Sequence, residues 1–349
     1  MHTSSFSEST RSRGRHLWVA CFQRALCLFV LLVGASTSWA AGEAVELREI
    51  VVFGASLSDV GNDKLAIPGV VMPPYFEGRF SDGPVWHEVM AERLGLPPAS
   101  VPSLLGGNNY AFGGAEMGPG LAELIMVPNV GTQIETHLAR QAQLGQLPLP
   151  ADTLFIVASG GGNNLIPPGL PQEPGVIVGY IEDHVTTLAE AGARHFLVTN
   201  FFDIAKAPYM EPLFVSPSWL PPGIQTQEVA DDILARADEV NRRLRGALPR
   251  LERHLDRRFG GVTISLVDMF TTTKVISKAP QLFGIENTTE TALTPPFPAC
   301  FCTGFLEPGV DPDRYLWFDE IHPTARVHEI LGELAAGSLH PALKTGPLE

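Results

Sequence analysis

The sequence predicts an α/β fold in which a parallel sheet is covered by helices on both faces. Three observations lead there. Short apolar runs bounded by turn residues alternate with longer amphipathic stretches, the pattern of strands joined by crossover helices. No internal repeat, charge block or shift in composition divides the chain. With 45% apolar residues among 349, it has the material for one large core.

The first strand is Glu49 to Phe53, an apolar run that ends at a glycine. Helices are expected at Trp86 to Leu94 and Val130 to Gln143, before strand Thr153 to Ala158. Helix Val176 to Ala191 leads to strand His195 to Asn200. The best-marked helix is Gln227 to Arg257, where Val229, Ile233, Val240, Leu244 and Leu248 recur near helical spacing with charges between them. Strand Val262 to Val267 and helix Pro323 to Ala336 complete the set. The last helix is expected to start at Pro323, where a missing N–H is harmless. Pro167 to Pro174 and Pro208 to Pro222 read as loops within the domain.

Residues 1–40 are expected to form a secretory signal, leaving 41–349 as a single exported domain, secreted or periplasmic. Arg11, Arg13, Arg15 and Arg24 precede the apolar run Ala25 to Ala35, and Ser38-Trp39-Ala40 supplies small residues for cleavage. The run falls short of the ~20 residues a bilayer crossing needs, so no stable membrane insertion is expected after cleavage. The formal net charge of −14 becomes more negative once those arginines leave, which argues against a nucleic-acid partner. Cys21 and Cys27 go with the signal. Cys300 and Cys302 remain, and their tight spacing reads equally as a strained bridge or as two thiols. The oligomeric state is open at this level.

Strand Glu49 to Phe53 runs into Gly54-Ala55-Ser56-Leu57-Ser58-Asp59-Val60-Gly61-Asn62, so Ser56 lies at the carboxyl end of a strand, where open α/β sheets place ligands. Small neighbours at Gly54 and Ala55 permit a sharp turn that exposes a hydroxyl and offers the Ser56 N–H to a developing oxyanion. By itself a serine there more often caps a helix or shapes a turn, a role that suits Ser58 and Asp59 better. The far end supplies what a nucleophile needs. Asp319-Glu320-Ile321-His322 sets a carboxylate three residues from an imidazole, close enough to hold the ring and stabilise its protonated form. Between the ends lie two turns rich in glycine and asparagine, Asn109 to Ala115 and Gly160 to Asn164. Gly114 would let a backbone N–H approach a substrate closely, and the Asn163 amide would donate to an oxyanion. Either turn alone would read as no more than a tight turn.

These blocks resemble the GDSL (SGNH) hydrolase family. Phe53 to Asn62 is similar to its nucleophile block, Asn109 to Ala115 to its glycine block, Gly161-Gly162-Asn163-Asn164 to its Gly-x-Asn-Asp block, and Asp319 to Thr324 to its Asp-x-x-His-Pro block. They occur in family order and span nearly the whole of residues 41–349. Pro74 to Trp86 is similar to a segment of the branch that holds bacterial secreted esterases, hemolysin-like phospholipases and plant lipases. The resemblance implies a three-layer, flavodoxin-like α/β/α sandwich with about five parallel strands. It also implies Ser56 as nucleophile, His322 as base and Asp319 as its orienter, with the Ser56 N–H, Gly114 N–H and Asn163 amide as oxyanion hole. Two positions depart from the pattern: Ala55 and Asn164 stand where the family usually has Asp. Neither performs a chemical step.

The expected activity is hydrolysis of carboxylic esters, on a small-molecule ester or lipid substrate, through an acyl-enzyme. A lipid acyltransferase, a carbohydrate acetylesterase and a non-catalytic binding protein on the same fold are the alternatives. The loop Pro208 to Pro222, with Tyr209, Met210, Leu213, Phe214, Trp219 and Leu220, reads equally as a wall of an acyl pocket and as plain packing over the core. No metal or cofactor is expected. His87-Glu88 and His328-Glu329 lack a second His at zincin spacing, and no Walker or dinucleotide loop occurs.

Overall fold

The computed structural model describes residues 45–122, 125–159, 162–166, 171–204, 207–208, 210, 227–294 and 304–344. The expected signal, Gly160 and Gly161, nearly all of loop Pro208 to Pro222, and Cys300 and Cys302 lie outside them. Among the described residues the central sheet has four parallel strands in sequential order: β1 (Glu49–Phe53), β2 (Thr153–Val157), β3 (His195–Thr199) and β4 (Thr263–Val267). Every residue of β2 and β3 is buried. Side chains alternate between faces, so both faces are covered, and this is why those strands read as continuous apolar runs.

A fifth place in the sheet is filled without a regular strand. Residues 108–112 run parallel to β1 on its open side: Val52 donates to the Asn108 carbonyl at 3.0 Å, while the Tyr110 N–H reaches the Val52 carbonyl at 2.8 Å. The chain thus passes from β1 to one side, at 108–112, and then to the other, at β2. Strand order reverses at β1, and the crevice beyond its carboxyl end is where such sheets bind ligands.

The covering helices are α1 (Trp86–Leu94), α2 (Val130–Gln143), α3 (Pro174–Glu190), α4 (Gln227–Phe259), α5 (Met269–Lys278) and α6 (Ala325–Gly337). They pack chiefly as pairs, α1 on α6 and α3 on α4. Ile233, Val240, Leu244 and Leu248 of α4 are fully buried, as their spacing predicts. Helix α6 begins later than expected. Thr324 is its N-cap, and Pro323 precedes it, bridged instead to Trp317. Proline's locked φ suits that extended approach as well as it suits a first helical turn. No helix among the described residues is long and apolar enough to cross a membrane.

A histidine buried in the core is costly to the fold. His137 of α2 is wedged edge-on among Phe53, Tyr110 and Phe155, with no hydrogen-bond partner for either ring nitrogen among the described residues. Burial, helped by nearby Arg140, pushes its imidazole down to about 4. The unfolded chain binds a proton that the folded one refuses, so stability is lost as pH falls from the ordinary histidine range toward that value. His137→Leu is therefore expected to stabilise the fold by about 1–3 kcal/mol, with a larger gain near pH 5 than near pH 8, in urea unfolding curves.

Candidate functional site

The turn after β1 is gripped from several sides. Gln133 of α2 both donates to and accepts from the Gly54 backbone, each at 2.9 Å. Ser56–Ser58 then form a single 3-10 turn, with Ser58 fully buried. Its hydroxyl accepts from the Trp86 indole at 3.1 Å; its carbonyl accepts from the Asn109 amide at 2.8 Å and lies 3.0 Å from His87 Nε2. Four backbone N–H groups converge on the Asp59 carboxylate, two at 2.7 Å from Gly61 and Asn62 and two at 3.2 Å from Asp63 and Gly113. Asn62 ties the turn to the carbonyls of Asn109 and Ala111, both at 2.9 Å. Ser56 is thus the one side chain of its short turn whose polar atom is not committed to structure.

Asp319 and His322 are brought together. Strand pairing of Asn287–Thr291 with Tyr315–Trp317 delivers the loop, which closes through the Phe318 N–H on the His322 carbonyl at 2.8 Å. The Asp319 carboxylate then bonds the His322 ring at Nδ1, 2.8 Å from Oδ2, and the backbone N–H groups of Ile321 and His322 at 2.9 and 2.8 Å. Tyr75 adds its hydroxyl at 2.8 Å. Burial raises the Asp319 carboxyl, but the His322 ring and these N–H donors outweigh it and hold the group below the ordinary carboxylate range. Glu320 next door goes the other way: burial, then the Asp319 charge, lifts it to about 7. Asp319 is the stronger anion of the two, so it is the one that fixes the ring.

The turns that carry Gly114 and Asn163 also meet. The Asn163 amide donates to the carbonyl of Ala115 at 2.8 Å, which leaves its second N–H. Gly114 has φ +74°, a left-handed conformation that strains any residue with a Cβ, and a Cβ there would also come within 2.8 Å of the tip of Ile125. Asn164 links the two turns differently, accepting from the Met117 N–H at 3.0 Å and donating to Gln172 at 3.2 Å. A carboxylate at 164 would still accept from Met117 but would face the Gln172 oxygen without a donor. The other departure, Ala55, is buried in an apolar cluster with Phe112 and Ala115, which presses the Ser56 turn onto the glycine turn.

One segment joins the two ends of the chain. Trp86 and His87 hold Ser58, while Ser81 donates to the Pro323 carbonyl at 3.0 Å and Asp82 accepts from the Ala325 N–H at 2.7 Å. The Phe80 ring lies 4.8 Å from the His322 ring, and a Cβ on Gly113 would strike its far edge. The Phe80 ring therefore touches both the imidazole and the glycine turn. The Ser56 hydroxyl and His322 Nε2 are not hydrogen-bonded to each other, and among the described residues neither bonds to anything else. Tyr75, Phe80, Gln133 and the fourfold bonding of Asp59 were not singled out from sequence. Tyr75 and Phe80 do lie in the Pro74 to Trp86 segment, whose resemblance was the available signal.

The chain is similar to known proteins along most of its length. It is 26% identical to a thermolabile hemolysin of Vibrio parahaemolyticus over 310 residues, which cover 84% of this chain and 64% of the hemolysin. The chain thus spans somewhat less than two thirds of that relative. A GDSL esterase/lipase of Arabidopsis thaliana is 24% identical over 346 residues, covering 85% of this chain and 91% of the plant protein. A shorter stretch of 70 residues is 48% identical to a phosphatidylcholine-sterol acyltransferase of Aeromonas hydrophila, covering 19% of this chain and 21% of that one. The family model for GDSL-like lipase/acylhydrolase matches residues 50–335, and the chain belongs to that family.

Proposed function

We propose that this protein is an exported serine esterase or lipase that hydrolyses carboxylic esters, with Ser56 as nucleophile, His322 as general base and Asp319 as the group that orients it. The observation that carries the reading is the Asp319–His322 pair. Its Nδ1 bond, at 2.8 Å, places the ring proton on Nδ1 and so leaves the Nε2 lone pair for a base, and the ring packs on Phe80, which also touches the glycine turn. In this reading substrate binding brings Nε2 onto the Ser56 hydroxyl. His322 takes the proton as the oxygen attacks the ester carbonyl, and the Ser56 N–H, Gly114 N–H and the spare Asn163 N–H receive the oxyanion. His322 then protonates the departing alcohol. Water, deprotonated by the same ring, releases the acid and regenerates Ser56. Asn163→Ala is expected to lower kcat on the order of 10²-fold with KM little changed, as measured in steady-state kinetics.

Transfer of the acyl group to an alcohol instead of water is the second reading, favoured by the local 48% identity to an acyltransferase. A panel of p-nitrophenyl esters from acetyl to palmitoyl, run with and without glycerol or a sterol, tests both. Burst release of p-nitrophenol with free acid as product supports the hydrolase. A new ester at the acceptor supports transfer, and no turnover of any ester removes both.

A further inference from the structure

Beneath the glycine turn lie two carboxyl groups of very different standing. Asp59, fully buried, accepts four N–H bonds, which fill its acceptor sites and suit it to the ionised form. Asp63 is equally sealed from solvent, yet among the described residues neither of its oxygens has a hydrogen-bond partner. The Gly113 N–H nearby is bonded to Asp59 at 3.2 Å and pulls only weakly on Asp63. Asp63 Oδ2 would sit 2.5 Å from a Cβ on Gly113, so its carboxyl presses directly on the back of the turn that carries Gly114. A second unpaired carboxylate buried beside the first has nothing to compensate its charge, and a neutral acid costs far less to bury there. Burial first, and the Asp59 charge second, push Asp63 up to about 9, while Asp59 rises only to about 6.

We propose that Asp63 is a positioning residue that works as a neutral carboxylic acid, backing the Gly113–Gly114 turn so that the Gly114 N–H keeps its full pull on an oxyanion. The inference rests on Gly114 being an oxyanion donor. Once ionised, Asp63 places a negative charge behind that donor, where the transition state is also negative, and the step slows. The charged groups on the surrounding elements do not relieve it. Lys64 is exposed and lies along Gly78; Arg79 is held by Glu88 at 2.7 Å; Asp82 is bonded to Ala325; and His322 packs on the Phe80 ring and is bonded to Asp319.

The test is the pH profile of kcat/KM for p-nitrophenyl acetate with the full chain, comparing wild type, Asp63→Asn and Asp63→Ala. Wild type is expected to lose about tenfold as pH rises through about 9. Asp63→Ala is expected to lose about tenfold already at neutral pH, and Asp63→Asn, which cannot ionise, to recover most of that and show no alkaline fall. An Asn variant that keeps the wild-type alkaline limb, or is as slow as the Ala variant, overturns the proposal. Melting curves give a second reading should either variant fold poorly. The folded chain holds a proton that the unfolded chain releases, so wild-type stability should decline with pH from about 4 to about 9 and no further on this account. A wild-type curve without that decline overturns it. Labelling of Ser56 by a fluorophosphonate at neutral pH is read alongside: its absence rejects the Ser56 mechanism, whereas labelling with an unchanged alkaline limb rejects only the role of Asp63.

Discussion

Ser56→Ala is expected to lower kcat for p-nitrophenyl esters by ~10⁴-fold or more while leaving the melting temperature within a few degrees of wild type. The reason for the size is that no second nucleophile stands at the turn: Ser58 has its hydroxyl bonded to the Trp86 indole and is fully buried. The fold should tolerate the change because the Ser56 hydroxyl makes no structural hydrogen bond among the described residues. Residual turnover would come from binding and the oxyanion donors alone. Loss of the melting transition together with activity would show that Ser56 supports the turn instead, contrary to its uncommitted side chain.

The second large effect belongs to Asp319. Asp319→Asn keeps the shape but turns one acceptor oxygen into a donor, so the carboxylate no longer demands a proton at His322 Nδ1, and the ring can adopt the tautomer with Nε2 protonated. A loss of about 10⁴-fold in kcat is expected, with substrate binding little affected. Because the carboxyl is held below the ordinary range by His322 and two N–H groups, Asp319 is not the group whose protonation limits activity on the acid side. Tyr75→Phe removes one of its bonds, at 2.8 Å, and leaves the rest, so a loss of no more than about tenfold should follow. A Tyr75→Phe variant as slow as Asp319→Asn would mean that the hydroxyl, and not the carboxylate, sets the ring.

The contrast between what was readable and what was not follows the range of the interactions. Strands β1 to β4 were legible because nearly all their residues are buried on both faces of the sheet, which writes short, mostly apolar runs into local sequence. Asp319 and His322 were legible because three residues and a tight loop put them together. The edge segment 108–112 was not read as a strand, since only alternate backbone groups pair with β1, and its two asparagines with the glycines on either side read as a turn. The start of α6 was misplaced by two residues for a similar reason: proline is as much at home just before a cap as just after it. Harder still were Gln133 on Gly54, 79 residues away, and Tyr75 on Asp319, 244 residues away. A buried polar side chain leaves no periodic trace of its partner. Their identity emerges only when the sheet has brought the segments together.

The segment Ser81 to His87 shows the same limit from another side. Its resemblance to one branch of the family marked it as worth notice, but its work is mechanical: it fastens the Ser56 turn to the loop that bears His322. Both departures from the family pattern also acquire a physical account. Ala55 belongs to an apolar contact with the glycine turn, and Asn164 is matched to Gln172, which in turn donates to Glu116 at 3.1 Å.

The most direct measurement is covalent: treat the full chain with a fluorophosphonate at neutral pH, then locate the adduct by peptide mass mapping. One phosphonyl group per chain, on Ser56, with labelling slowed at least a hundredfold in His322→Ala, is the result expected of an activated serine. An unmodified Ser56 in a folded chain, or an adduct at equal rate with and without the imidazole, would contradict it.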